Sequence, residues 1–367
     1  MHDEFFEKLS KGAKVQLAAK LKDDRIGLDN PGQIHIFFPD MHIISKEQQV
    51  KRNFANYVNY SERENDLLPT VARFMNEFKQ DNKDKEVIVY QLGDFLDPWR
   101  ETAKPFNVDP TRFQAIIQKI TESHFYVWDA FMADNLHTNF LLGNHDFDLH
   151  RIPAYYHRFQ FINYYIENKE TEIPAAVVLH GDIFSWVERI PEFIRQFMVH
   201  DFSPKNKSKK IVNQLAAAIN DTHKYGGKYI DYLQKEDQKK EEGMYDLGKL
   251  EDPGSVTDDR LNVVGLGAAD KTHKGFLKKG RKLIEEINKA HKYQLRMLVC
   301  GHTHKARIAV DEGDGNPFFL MDCGAWLKKS KASIKNDGDE WAEKDVKNAQ
   351  IGVLYNNEAR IYQLSPL

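Results

Sequence analysis

Cysteine is nearly absent: among 367 residues there are two, Cys300 and Cys323. A disulfide framework is excluded as the organising principle, and so is any CxxC metal site. Both cysteines lie among apolar residues, where small buried thiols usually sit. A long apolar run is also missing, since no segment approaches about eighteen uninterrupted apolar residues, the span of a membrane helix. The N-terminal stretch MHDEFFEKLSKGAKVQLAAKLKDD is charged throughout, unlike a signal peptide, so a cytoplasmic location is expected. Charge of one sign is not in excess either. Lys and Arg total 52 against 55 Asp and Glu, for a formal net charge of −3, so no global basic field favours nucleic acid. There is no phosphate-cradling glycine loop: Gly265-Leu266-Gly267 lacks its third glycine, and no Gly-Lys-Ser/Thr occurs. Nor does any internal repeat recur at a fixed period.

What is there is an alternation of β-rich and helical patterns. The run QIHIFF over 33–38 and the runs 86–92, 139–142, 175–179 and 296–300 read as buried strands. Between them, 62–79 and 113–131 carry apolar residues at helical spacing, the latter as one long helix. Short β-patterned runs at 306–310, 317–323, 351–356 and 359–364 close the chain. Polar residues 329–348 read as a surface loop or helix. The expected architecture is α/β: two mixed β-sheets forming a sandwich flanked by helices, with a helical cap insertion. The expected divisions are an N-terminal helical extension (1–30), a core (31–182 and 295–367) and a mainly helical, highly charged insertion (183–294).

Each of the five buried strands runs into residues that can bind metal. The stretches are Asp40-Met41-His42, Gly93-Asp94-Phe95-Leu96-Asp97, Gly143-Asn144-His145-Asp146, His180-Gly181-Asp182 and Gly301-His302-Thr303-His304. Ligands gather at the carboxyl ends of strands in such sheets. Two residues apart in an extended segment, Asp40 and His42 share a side, as do His302 and His304 with Thr303 pointing away. Carboxylate and amide oxygens mixed with imidazole suit manganese, iron or zinc. Asp94, with two oxygens, is the natural bridge between two ions.

In this order the five blocks resemble the calcineurin-like metallophosphoesterase superfamily, from residue 40 to residue 304. That resemblance implies one divalent ion on Asp40, His42, Asp94 and His304, and a second on Asp94, Asn144, His180 and His302. It implies hydrolysis of a phosphate ester or pyrophosphate by a metal-bound water or hydroxide. By the same resemblance His145 protonates the leaving oxygen, with Asp97 as its partner. Asp146 and Asp182 are expected to orient loops. Phosphoprotein phosphatases of this superfamily place Arg directly after the second Asp of G-D-x-x-D. Here the run is Asp97-Pro98-Trp99-Arg100, which argues against that activity. GDFLDPW, with His180-Gly181-Asp182 and Gly301-His302-Thr303-His304, instead looks in part like the UDP-diacylglucosamine pyrophosphohydrolase branch. Arg100 and Arg189 are candidate phosphate contacts.

An anionic, phosphate-containing substrate is the expected partner. Residues 183–198 place apolar side chains on about half of a helix. A cap helix packed on the core accounts for that, and a peripheral membrane contact through the cap is the alternative. The lysines of 271–292 are interrupted by Glu285 and Glu286, as on a solvated helix face. Two alternatives remain beside the pyrophosphohydrolase reading: a nucleic-acid or cyclic-nucleotide phosphodiesterase, and, from a different class, a non-catalytic scaffold on the same fold.

Overall fold

The computed structural model describes residues 13–47, 75, 78–80, 82–101, 110–132, 137–143, 146, 149, 163–181, 261–264, 271–303, 305–326, 330–335, 341–346 and 349–366. In chain order these contain β1 (Ala13–Lys22), β2 (Gln33–Phe38), β3 (Glu86–Gln91), α1 (Pro110–Ser123), α2 (Phe125–Met132), β4 (Asn139–Phe140), β5 (Asn163–Asn168), β6 (Ile173–Leu179), β7 (Leu261–Val264) and α3 (Lys271–His291). They continue with β8 (Met297–Cys300), β9 (Lys305–Asp311), β10 (Phe318–Asp322), β11 (Ser330–Lys335), β12 (Trp341–Val346), β13 (Ala349–Tyr355) and β14 (Glu358–Pro366). One sheet has the order β1-β14-β13-β2-β3-β4; the other runs β12-β11-β9-β10-β8-β6-β5, with β7 also paired to β9. Both are mixed. β2, β3 and β4 are parallel in the first, and β6, β8 and β10 in the second.

Side-chain alternation builds the layers. Phe37, Tyr90, Leu354 and Ile361 of the first sheet share a buried cluster with Val178, Val299, Ile308 and Met321 of the second, so these faces meet. The alternate residues face outward and are covered. Ile34, Ile36, Phe38 and Val89 belong with Phe113, Ile117 and Phe131 of α1 and α2, and the Phe38 and Phe131 rings meet edge to face at 5.0 Å. On the other side α3 lies close on β8 and β10. A Cβ at Gly280 would come within 3.0 Å of both Leu298 and Phe318. Strands covered on both faces read as continuous apolar runs, which is why QIHIFF is buried at every position. At roughly 1.5–3 kcal/mol for each fully buried large apolar side chain, this packing fixes where the strand ends lie.

Several expectations are corrected. The N-terminal stretch is not helical over 13–22: it is β1, an edge strand paired along β14, with a bulge between Leu17 and Ala19. Val15, Leu17, Ala19 and Leu21 recur at every second position, which is the period of a strand, and β14 pairs along them. The core thus begins before residue 31. Its insertion ends before 261, because β7 pairs with β9 and α3 contributes Phe276, Leu283 and Ile287 to the core. The polar stretch 329–348 contains a hairpin of β11 and β12, in which Ala332 and Ile334 alternate with Lys331, Ser333 and Lys335. The long helix is broken between α1 and α2 at His124, whose N–H is shared between Ile120 and Thr121 carbonyls at 3.2 Å each. The His124 ring reaches the Ile44 carbonyl at 2.8 Å. The cap helix expected over 183–198, with Arg189 and Asp182, lies outside the described residues. Among the described residues no helix is long and apolar enough to cross a membrane.

Candidate metal centre

The carboxyl ends of β2 and β3 in one sheet converge on those of β6 and β8 in the other. The loops after β2 and β3 are joined backbone to backbone. Met41 and His42 N–H donate to the Asp94 carbonyl at 3.0 and 2.8 Å, and Ile43 N–H to that of Phe95 at 3.0 Å. Across the site, Gly301 N–H donates to the His180 carbonyl at 3.0 Å. Three of the expected ligands sit in left-handed backbone: His42 and Asp94 at φ +49° and His302 at φ +68°. Such conformations cost a non-glycine residue about 1–3 kcal/mol and gather at functional sites. For Asp40 and His42 they also correct the expectation of an extended D-x-H segment. His42 joins Asp40 by a turn of the backbone, and His302 sits in a turn of its own, closed by the Thr303 N–H on the Gly301 carbonyl.

The glycines before these residues permit the approach. A Cβ at Gly143 would lie 2.2 Å from Asp94 Oδ1, and one at Gly301 would lie 2.3 Å from Asp40 Oδ1. Asp40, His42 and Asp94 each present a ligand atom within 4.8 Å of the others, and so do Asp94, His180 and His302. Asp94 is common to both groups. Its Oδ2 is 3.6 Å from His42 Nε2 and 3.3 Å from His180 Nε2.

Tautomers follow from the partners on the far side of each ring. His180 Nδ1 lies 2.8 Å from the Leu92 carbonyl, so it carries the proton and Nε2 offers a lone pair inward. His42 Nδ1 lies 3.2 Å from Asp97 Oδ2, which turns its Nε2 lone pair toward Asp94. His180 Nε2 in turn faces His302 Nδ1 at 3.2 Å. Lone pairs of imidazole and buried carboxylate oxygens thus converge on one small space. Asp40 is fully buried and Asp94 nearly so. Buried carboxylates are normally paired or bind cations, so the donors present fit divalent metal.

Supporting groups hold the loops. Asp146, fully buried, accepts Gly143 N–H at 2.9 Å and Phe95 N–H at 2.7 Å. Burial, then the neighbouring charge of Asp94, pushes its carboxyl up to about 7. Positive charge beside Asp94 would remove that second push. Asp146 therefore sits where loop orientation was expected of it. Three supports were missed in the sequence. Gln91 clasps Gly93, its Nε2 donating to the Gly93 carbonyl at 2.8 Å and its Oε1 accepting Gly93 N–H at 3.0 Å. Asp322, buried at the end of β10, accepts from the Thr303 hydroxyl. Gln350 accepts Ala325 N–H at 2.8 Å, next to Trp326, whose own N–H donates to the Asp40 carbonyl at 2.7 Å. Asp322 was findable, because FFLMD is another apolar run ending in an acid. Gln91 and Gln350 carry no such mark.

Asp40, His42, Asp94, Asp97, His180 and His302 are thus brought together. Asn144, His145 and His304 lie outside the described residues, and of Arg100 only the backbone, in a short 3-10 turn, is described. A family model for calcineurin-like phosphoesterases matches residues 36–306. The chain belongs to that family. The match covers all five strand-end blocks and runs through the insertion. Metal-dependent phosphoester hydrolysis is the reaction class this membership supports, and the buried Asp and His cluster is compatible with the metal it needs. No curated protein matches the chain.

Proposed function

We propose that this chain hydrolyses a phosphate ester or a phosphoric anhydride at a pair of divalent ions. Asp40, His42, Asp94 and His304 would hold one ion, and Asp94, Asn144, His180 and His302 the other. The observation that carries this reading is the sharing of Asp94 by two buried donor groups. When bound, such a pair supplies a water-derived nucleophile near neutral pH and a clamp on the phosphoryl oxygens. Manganese is the proposed ion, with iron or zinc as alternatives, because the donors mix oxygen and imidazole. His180 and His42 present their Nε2 lone pairs, and Leu92 and Asp97 keep those rings from turning. His145 is proposed to protonate the leaving oxygen. Of the two roles proposed for Asp97, orientation of His42 has a described contact behind it.

The substrate is anionic, with Arg100 and Arg189 as proposed phosphate contacts. Within the family, the run from Gly93 to Trp99 favours a pyrophosphohydrolase of the UDP-diacylglucosamine type over a protein phosphatase. A cytoplasmic protein with a cap touching a membrane surface would suit such a substrate. The test is a manganese-supplemented panel of p-nitrophenyl phosphate, its bis-ester, cyclic nucleotides, nucleotide-sugar pyrophosphates and single-stranded DNA. Cleavage confined to the pyrophosphates supports the finer reading, and cleavage of DNA or cyclic nucleotides replaces it with a phosphodiesterase. No hydrolysis of any of them, with no metal bound, sinks the catalytic reading in favour of a scaffold.

A further inference from the structure

His302 occupies a turn that an L-residue enters only under constraint. Its φ is +68°, and Thr303 N–H donates to the Gly301 carbonyl at 2.8 Å, closing a three-residue turn across it. A γ-turn centred on that side of the Ramachandran map is rare and strained. Such a turn persists only where its surroundings over-determine it.

Two carboxylates supply that constraint. On the near side, His302 N–H lies 3.0 and 2.9 Å from the two oxygens of Asp40. On the far side, the Thr303 hydroxyl donates to Oδ2 of Asp322, while Oδ1 of Asp322 accepts Gly324 N–H at 3.0 Å. Asp322 is itself immobile. It is fully buried, stands in register with Cys300 of β8, and is followed by Cys323, whose N–H donates to the Cys300 carbonyl at 2.8 Å. Both of its oxygens are committed to the loops flanking the site.

We propose that Thr303 and Asp322 form a latch that keeps the His302 turn in the shape that aims its imidazole at His180. Asp322 is then a positioning residue and not a ligand. The inference rests on reading His302 as a metal ligand. The tolerance is narrow, because imidazole–metal distances vary by only about 0.2 Å in a working site. A relaxed turn would swing Nδ1 away from the 3.2 Å approach to His180 Nε2. Asp40 meets the turn at the His302 N–H, whereas the latch holds it downstream at the Thr303 hydroxyl.

The test uses the full chain, stripped of metal and titrated with Mn²⁺ by calorimetry. Thr303→Val keeps the branched shape and removes the hydroxyl. It is expected to weaken binding of the less tightly held ion by roughly 10–100-fold, the usual effect of losing a group that orients a ligand. Thr303→Ser restores the hydroxyl and should return affinity to within about threefold of wild type. The metal-free valine protein should melt below wild type, because fully buried Asp322 loses a hydrogen-bond donor, while the metal-free serine protein should melt with wild type. A metal-free serine protein that melts as low as the valine one would overturn the role given to the hydroxyl. Wild-type Mn²⁺ affinity in Thr303→Val also overturns the latch, as does a serine variant as weak as the valine one. If Thr303→Val does not fold, Asp322→Asn is titrated in its place, and there too unchanged affinity is fatal. Wild-type protein that takes up no Mn²⁺ overturns the latch together with the metal reading, whereas two ions bound equally by wild type and Thr303→Val remove the latch alone.

Discussion

Asp94, on the loop after β3, and His180, at the end of β6, come from different sheets and meet with 3.3 Å between Oδ2 and Nε2. The fold holds them there through burial on both faces of each sheet. A cation shared at Asp94 would therefore tie the sheets together as well as serve chemistry. Asp94→Asn keeps the shape but removes the charge and one oxygen. Activity should fall by roughly 100-fold or more, since even orienting groups cost 10–100-fold when lost. Metal content after gel filtration should fall with it. Full activity in this variant would remove Asp94 from the bridging position.

Gly143 is fixed by contact and not by backbone conformation. Its φ is outside the left-handed region, yet a Cβ there would press on Asp94 Oδ1 at 2.2 Å and on Asp94 N at 2.3 Å. Overpacking of this kind costs about 1–3 kcal/mol, and here the strain falls on a proposed ligand. Gly143→Ala should lower both urea resistance and metal affinity. Equal stability and equal metal binding in the alanine protein would mean that the loop yields without effect on the site.

The expected ligands were legible because each follows an apolar run. Burial on both faces of a parallel strand demands such a run, and an acid or imidazole just beyond it stands out, as Asp40 does after QIHIFF. What holds those ligands was harder to read. Gln91 looks like the polar end of EVIVYQL, and only its return bonds to Gly93 reveal a role. The helical expectation also failed at Val15 to Leu21, where apolar residues at every second position pair with β14 as a strand. His124 lies on the apolar stripe of a helix pattern, but its ring bonds Ile44 and the helix breaks there. These are tertiary choices among locally equivalent options.

His145 is proposed to act on the leaving group and not to bind metal. His145→Ala should keep its metal content. Its turnover should fall little on p-nitrophenyl phosphate, whose leaving group needs no proton, and by roughly 100-fold or more on an alkyl phosphate, in the range of general acid catalysis. Loss of metal on substitution would reassign the residue as a ligand.

His35 gives the protein an acid-sensitive element away from the site. It is buried between the sheets with Nδ1 3.3 Å from the Tyr90 hydroxyl. Burial, and secondarily Lys169, pushes its pKa down to about 3. The folded state thus keeps His35 neutral, while the unfolded chain takes up a proton below about 6.5. The stability contributed by neutral His35 is complete above that value and is lost as pH falls toward 3, by about 2 kcal/mol at pH 5. His35→Gln keeps a polar partner for Tyr90 and does not titrate. Urea unfolding at pH 7.5 and pH 5 should show a smaller loss in the glutamine protein, and an identical loss would place the acid sensitivity elsewhere.

Gln91 tests whether the strained loop is held from within its own strand. Gly93 is at φ +94° and Asp94 at φ +49°, and the amide of Gln91 satisfies both the N–H and the carbonyl of Gly93. Its place is fully buried, so water cannot replace it readily. Gln91→Leu would leave two buried backbone groups unpaired, each costing about 1–3 kcal/mol. Gln91→Glu is the sharper probe. Ionised, it still accepts from Gly93 N–H but cannot donate to the carbonyl, and it adds charge near Asp94. Divalent metal should therefore raise the melting temperature of the glutamate protein less than that of wild type, because the Gly93 carbonyl loses its donor and Asp94 shifts with the loop. Equal metal-induced shifts in both proteins would show that Asp94 is placed without Gln91, with the bonds from Met41 and His42 among what holds it.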